Sequence, residues 1–362
     1  MNSKIFERIP NSFLFISLIS VFFIKIILYI LIKSNFLNSP LSGASDANYY
    51  HAYVIGFFNV AVNIWPVILR RLNDFGLYSR EIVAFFLFSL NLVFIPAMTA
   101  KLAGVSLKRN QKLYFYIILL CLVYPTLYFF TFDIYRDVFM VFSFLIGCLT
   151  VKKCLHSSNF LFFIFYLSVS IVIGIFLLGL RPYLGYAFLL SLFLWGIKFT
   201  KKRLVFFGFL YFLALFIINY AGFLELLTEY RAGFEEGANG STLGLDFSNP
   251  IMFIPNFILS TLGQLFGLYV TNPLAIVLLV VETIPFFFML IYVIKNIKLA
   301  DSFVRFLIIF FVLYASVWLI GNDNLGTAIR LRLYNYFAVY ISFFYILRLK
   351  ILSSKNIQVE NR

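Results

Sequence analysis

Residues 160 to 180 run without a single charged side chain, and comparable apolar runs recur along the whole chain. A helix needs about 20 mostly apolar residues to cross the hydrocarbon of a bilayer. Inside that hydrocarbon every backbone N–H and C=O must be paired within the segment, so runs of this length predict helices. The composition agrees: 62% of the 362 residues are hydrophobic and 12% are charged, whereas a soluble domain carries about 25% charged residues. This excludes a soluble globular chain and predicts an all-α, polytopic integral membrane protein. A net charge of +14 would suggest nucleic acid in a soluble protein, but here it is read as cytoplasmic lysine and arginine. No nucleic-acid partner is expected.

Placing the basic loops in the cytoplasm gives a topology. The spans run over residues 12–32, 82–100, 113–130, 138–151, 160–180, 183–197, 204–223, 273–294, 303–320 and 334–347. That makes about ten transmembrane helices with both termini cytoplasmic. Lys4 and Arg8 precede the first, which reads as a retained span. Residues 52–69 and 251–270 are too apolar for open loops, yet crossings there would put the basic clusters on the wrong side. Both are expected to be re-entrant or interfacial. The loop 224–250 is polar, with an amphipathic segment containing Leu224, Leu227 and Phe234 and a turn at Gly237 to Ser241. One membrane domain is expected over 1–352, followed by a polar cytoplasmic tail over 353–362. The spans 138–151 and 183–197 are short, as in helices that end inside a cavity.

On this map the basic residues left outside are Lys33 and eight arginines. Positive-inside topology does not distinguish arginine from lysine in this way, whereas bidentate binding of phosphate or carboxylate does. The external arginines are therefore candidate anion ligands. Arg330 and Arg332 follow Gly326-Thr327, which would permit a tight turn; they share a face if extended and diverge if helical. Arg181 joins two spans and is followed by Pro182 and Tyr183. Asp133, Arg136 and Asp137 fall at helical spacing, so a continuing helix would put them on one face. Asp46 and His51 lie in the first outer loop, where a carboxylate or imidazole near a sugar hydroxyl is able to take its proton. Arg70, Arg71 and Asp74 read as a solvated helix end. Glu282 is a carboxylate within a span, and no partner for it is evident from the sequence. Cys121, Cys148 and Cys154 have neither metal nor disulfide spacing. There is no phosphate-binding loop, dinucleotide fingerprint or zinc motif, so no cofactor and no metal are implied.

Three of these segments carry a resemblance. Tyr124-Pro125 leading into Tyr135-Arg136-Asp137, then Leu180-Arg181-Pro182-Tyr183-Leu184-Gly185, and finally Gly326-Thr327-Ala328-Ile329-Arg330-Leu331-Arg332, resemble the Wzy-type O-antigen, capsule and exopolysaccharide repeat-unit polymerases. That family is similar in turn to the C-type integral-membrane glycosyltransferases, whose early outer-loop aspartate Asp46 resembles. The Asp-x-Asp or Glu-x-Asp pattern common in that wider group is absent. The resemblance implies a bacterial inner-membrane enzyme, active on its periplasmic face. It would transfer an oligosaccharide from undecaprenyl diphosphate to the terminal sugar of another lipid-linked repeat, alongside membrane lipids and a chain-length regulator. It further implies Arg136, Arg181, Arg330, Arg332, Tyr183 and His51 as substrate ligands and Asp133, Asp137 or Asp46 as the group activating the acceptor. A polysaccharide-modifying transferase, another C-type transferase and a lipid-linked oligosaccharide flippase or exporter are the alternatives.

Overall fold

The computed structural model describes residues 9–37, 45–233 and 242–360. The protein is all-helical, with 77% of it in helix and no strands among the described residues. Seven described helices are long and apolar enough to cross a membrane, or eight if a bent pair forms one span. The seven are α1 (Asn11–Lys33), α4 (Arg80–Leu102), α7 (Arg136–Leu155), α8 (Phe160–Leu180), α13 (Pro273–Lys295), α14 (Ser302–Gly321) and the long last helix α15 (Leu325–Glu360). The bent pair joins α10 (Lys201–Tyr220) to α11 (Glu225–Ala232) at 79°. Two shorter apolar helices, α5 (Gln111–Val123) and α9 (Pro182–Leu194), complete the apolar set.

Local chemistry explains where these helices start. Asn63, Ser79, Asn159, Thr200, Asn272 and Asp301 each stand one residue before a helix, and each side chain accepts a backbone N–H of the first turn. Proline explains two internal irregularities. A π turn at Leu90–Phe94 in α4 precedes Pro96, and another at Leu279–Thr283 in α13 precedes Pro285. A proline ring clashes with the carbonyl four residues back and offers it no N–H. Widening the turn absorbs that defect and lets both helices continue.

Several expectations change. Residues 52–69 do not form one helix: α2 (Ser45–Val54) ends before Gly56, whose φ is +90°, and α3 (Ile64–Asp74) begins a new axis. The stretch 251–270 contributes the short helix α12 (Phe253–Ser260) and a further π turn at Thr261–Leu265. The span expected to be short at 138–151 is the 20-residue α7, because Lys152 and Lys153 continue the helix at its end instead of stopping it. The last helix runs to Glu360, and nothing from Ser353 onward is a glycine or proline. Phe234 and the turn at Gly237 to Ser241 lie outside the described residues.

The chain divides into two compact units. The first comprises residues 1–189 and 347–362. Its interior packs α7 against α8, with Phe139 edge-on to Phe176 at 6.1 Å. The α8–α9 hairpin closes tightly because a Cβ on Gly185 would lie 2.3 Å from the backbone nitrogen of Leu178. The second unit, residues 190–346, is built on α14 and the start of α15. There Trp318 Nε1 donates to Asn335 Oδ1 at 2.9 Å, and Phe286 stacks on Tyr336 at 3.9 Å.

Candidate functional site

Taken within each unit, the candidate residues fall into three constellations. In the first unit Asp133 lies outside α7, because Tyr135 is extended at ψ 141° and the helix begins only at Arg136. The expected common face of Asp133, Arg136 and Asp137 therefore does not form. Both carboxylate oxygens of Asp133 instead accept from Arg80, at 2.7 and 2.6 Å, and Arg80 also donates to Asn48 Oδ1 at 2.8 Å. The helical spacing predicts Arg136 and Asp137 on the same face as Asp133, whereas its partner Arg80 comes from 53 residues upstream. Asn48 stands on α2, the helix that carries Asp46 in its first turn and His51 in its last. His51 Nδ1 and the Tyr78 hydroxyl are 2.8 Å apart, and burial pushes the Tyr78 phenol up to about 12.

The two remaining candidates of that segment turn toward the α8–α9 junction. Arg136 donates to the carbonyl of Leu180 at 2.8 Å, satisfying one of the acceptors that the end of α8 leaves unmade. Arg181 lies 3.5 Å from Asp137, with both side chains buried, and its guanidinium sits 5.8 Å from the centre of the Tyr183 ring. These four residues together lock the start of α7 to the turn between α8 and α9. Their geometry is that of a buried ion pair with a helix cap.

In the second unit, the stretch carrying Arg330 and Arg332 is helical from Leu325, so the two arginines diverge and no tight turn forms at Gly326. Arg330 is half-buried. Arg332 is 2% exposed and donates to Glu282 at 3.0 Å, which supplies the partner that the sequence left unidentified. Glu282 itself is fully buried within the π turn of α13. An ionised carboxylate at that depth requires a cation, and this requirement was the one sequence signal that a partner existed.

The surroundings hold Arg332 in one place. Its guanidinium lies 5.3 Å from the centre of the Tyr336 ring, an attractive arrangement for a cation. Gly267, at φ +59°, comes so close that a Cβ there would stand 2.8 Å from Arg332 Nη1. The Tyr336 hydroxyl donates to Leu265 O at 2.7 Å, so at 3.0 Å the Thr283 hydroxyl donates to it in turn. The Tyr340 hydroxyl reaches Glu282 O at 3.3 Å. Tyrosines of α15 thus supply donors to carbonyls in both π turns of this unit, and π turns are frequent at functional sites.

Beside Arg332 opens a cavity of about 260 Å³. Leu274, Ala275, Leu278, Leu325, Ala328 and Ile329 give it an apolar wall, while Gln264, Tyr269, Thr271, Asn272 and Arg332 give it polar groups. Glu282 does not line it. The cavity thus meets a cation through the arginine, with the compensating carboxylate behind. A ligand that suits this shape has an anionic head and an apolar body.

A second buried arginine stands nearby in the same unit. Arg231 of α11 donates to Leu319 O at 3.0 Å, Ile320 O at 3.3 Å and Asn322 O at 2.7 Å, where α14 ends and leaves carbonyls unpaired. It also donates to Leu245 O at 3.0 Å and pairs with Asp323. Asp323 in turn accepts Gly244 N–H at 2.9 Å, and Thr242 bridges Asn324. From the sequence Arg231 is one of the eight outer arginines read as candidate anion ligands, whereas Asp323 carries no assigned role. No protein-family model, curated protein or solved structure matches this chain.

Proposed function

We propose that this protein joins lipid-linked oligosaccharide repeats by glycosyl transfer, as a repeat-unit polymerase of surface polysaccharide synthesis. The observation that carries the reading is Arg332, fixed by Glu282 and Tyr336 in the wall of a cavity that is otherwise largely apolar. In this reading the cavity receives the diphosphate end of an undecaprenyl-linked donor, with isoprenoid against the apolar wall. Glycosyl transfer breaks the bond between the anomeric carbon and the diphosphate oxygen and forms one to an acceptor hydroxyl. Negative charge grows on the departing diphosphate, and an arginine already in position stabilises it without reorganisation. The acceptor proton goes to a carboxylate. Both arginine and carboxylate chemistry then operate without metal or nucleotide.

The finer architecture belongs to the same proposal. The seven long helices, the bent pair and the two short apolar helices account for ten crossings. Both termini are then cytoplasmic, as in a C-type membrane glycosyltransferase, and the reacting face is periplasmic. The protein works in the inner membrane beside a chain-length regulator.

The experiment is a gel of surface polysaccharide from a deletion strain carrying wild-type protein, Arg332→Ala or Arg332→Lys. Wild type restores a ladder, and Arg332→Ala gives a single lipid-linked repeat, consistent with a loss of roughly 10²-fold or more in rate. A normal ladder with altered sugar or acyl content rejects polymerisation in favour of a modifying transferase. Loss of even the single external repeat points to export.

A further inference from the structure

The second unit contains another cavity, of about 210 Å³, that the reading above leaves unused. Thr228, Glu229 and Arg231 form its α11 side, and Asp246, Phe247 and Ser248 form the other. We infer that this cavity binds a single neutral sugar ring, namely a ring of the saccharide whose anionic end lies at Arg332. The inference rests on the polymerase reading for that second clause only.

The chemistry of the walls selects the ligand. Arg231 is neutralised by Asp323 and its donors are directed to backbone carbonyls. What remains toward the opening is two carboxylates and two hydroxyls. Hydrogen bonds from Ser248 hold the Asp246 carboxyl below its ordinary range, so it stays an ionised acceptor. A surface rich in acceptors and net negative repels phosphate and suits a ligand made of hydroxyl donors. The volume is below the roughly 300 Å³ at which drug-sized sites begin, which points to one ring. Among the described residues no group of three or more His, Cys, Asp or Glu gathers to hold a metal.

Position supplies the second argument. The carbonyl of Asn322 accepts from Arg231 Nη1 and from Gln264 Nε2, each at 2.7 Å. Arg231 lines the smaller cavity and Gln264 the larger. One carbonyl oxygen therefore bonds to a lining residue of each cavity, which makes the two cavities neighbours within the second unit.

Saturation-transfer NMR on purified protein in nanodiscs tests this with millimolar N-acetylglucosamine, rhamnose and galactose. At least one sugar is expected to show transfer that falls threefold or more in Glu229→Gln/Asp246→Asn and persists in Arg332→Met/Glu282→Leu. Glu229 and Asp246 are exposed, and a size-exclusion profile matching wild type is the check that the double variant folds. No transfer from any of the three sugars overturns the inference, as does transfer that the double variant retains. Calcium binding that the double variant abolishes, without sugar transfer, overturns it in favour of a cation site. Sugar transfer together with a normal ladder from the deletion strain itself keeps the sugar site and rejects the polymerase.

Discussion

Arg332 Nη2 lies 3.0 Å from Glu282 Oε2, and the two residues come from helices 50 positions apart in the chain. The pair is both a structural element and the source of the cavity's positive wall, and the two roles separate by substitution. Removing one partner of a buried pair leaves the other charge uncompensated, at a cost of about 3–5 kcal/mol, whereas replacing both with apolar groups is often neutral. Arg332→Met should therefore lower the thermal midpoint of the purified protein strongly, and Arg332→Met/Glu282→Leu should recover most of it. The polysaccharide ladder should stay collapsed in both. A ladder restored by the double variant would show that Arg332 acts only through stability.

Gly267 tests the same site without touching a charge. At φ +59° a side chain is strained by about 1–2 kcal/mol, and its Cβ would press on Arg332 Nη1 at 2.8 Å. Gly267→Ala is expected to shorten the ladder more than it lowers the melting midpoint. Gly56, also at positive φ but with open space around it, is the control: Gly56→Ala should cost stability alone.

Arg231 reaches four carbonyls and a carboxylate with a planar fork. A lysine has one point of charge and cannot reproduce that geometry. Arg231→Lys should loosen residues 242–248 from α14, read as faster protease cleavage in that segment, while the cutting pattern of the first unit stays unchanged. Equal protection in wild type and variant would deny Arg231 its anchoring role.

How much of this was visible in the sequence depends on the range of the interaction. Apolar runs and the Asn, Ser, Thr and Asp caps act over a few residues, so the helices are readable from them. Pairings between distant charges are not. Asp133 and Asp137 share a face only on one continuous helix, and the extended backbone at Tyr135 separates them, sending one to Arg80 and the other to Arg181. The expected outer set of eight arginines includes these residues. It did not reveal that Arg181, Arg231 and Arg332 each come with a buried acid. The chain could not announce such distant pairs, because nothing local links Glu282 to Arg332.

The His51–Tyr78 contact gives a pH prediction whose sign follows from burial. The Tyr78 phenol is raised from its ordinary value of 10.0 to about 12, first by burial and then with smaller influences from Arg80, Asp133 and Glu81. A raised value means that the folded protein holds this proton more tightly than the unfolded chain does. The stabilising contribution is complete below pH 10 and disappears as pH climbs through the folded value near 12. Wild-type protein should therefore lose more stability between these limits than Tyr78→Phe, which has no proton to lose. The measurement is the denaturation midpoint at a series of alkaline pH values, taken as the difference between the two proteins so that the other tyrosines cancel. At neutral pH the difference reports the lost hydrogen bond to His51, about 1 kcal/mol for a typical pair. Parallel curves over the whole range would mean that Tyr78 titrates alike in both states and that its burial does not favour the neutral phenol.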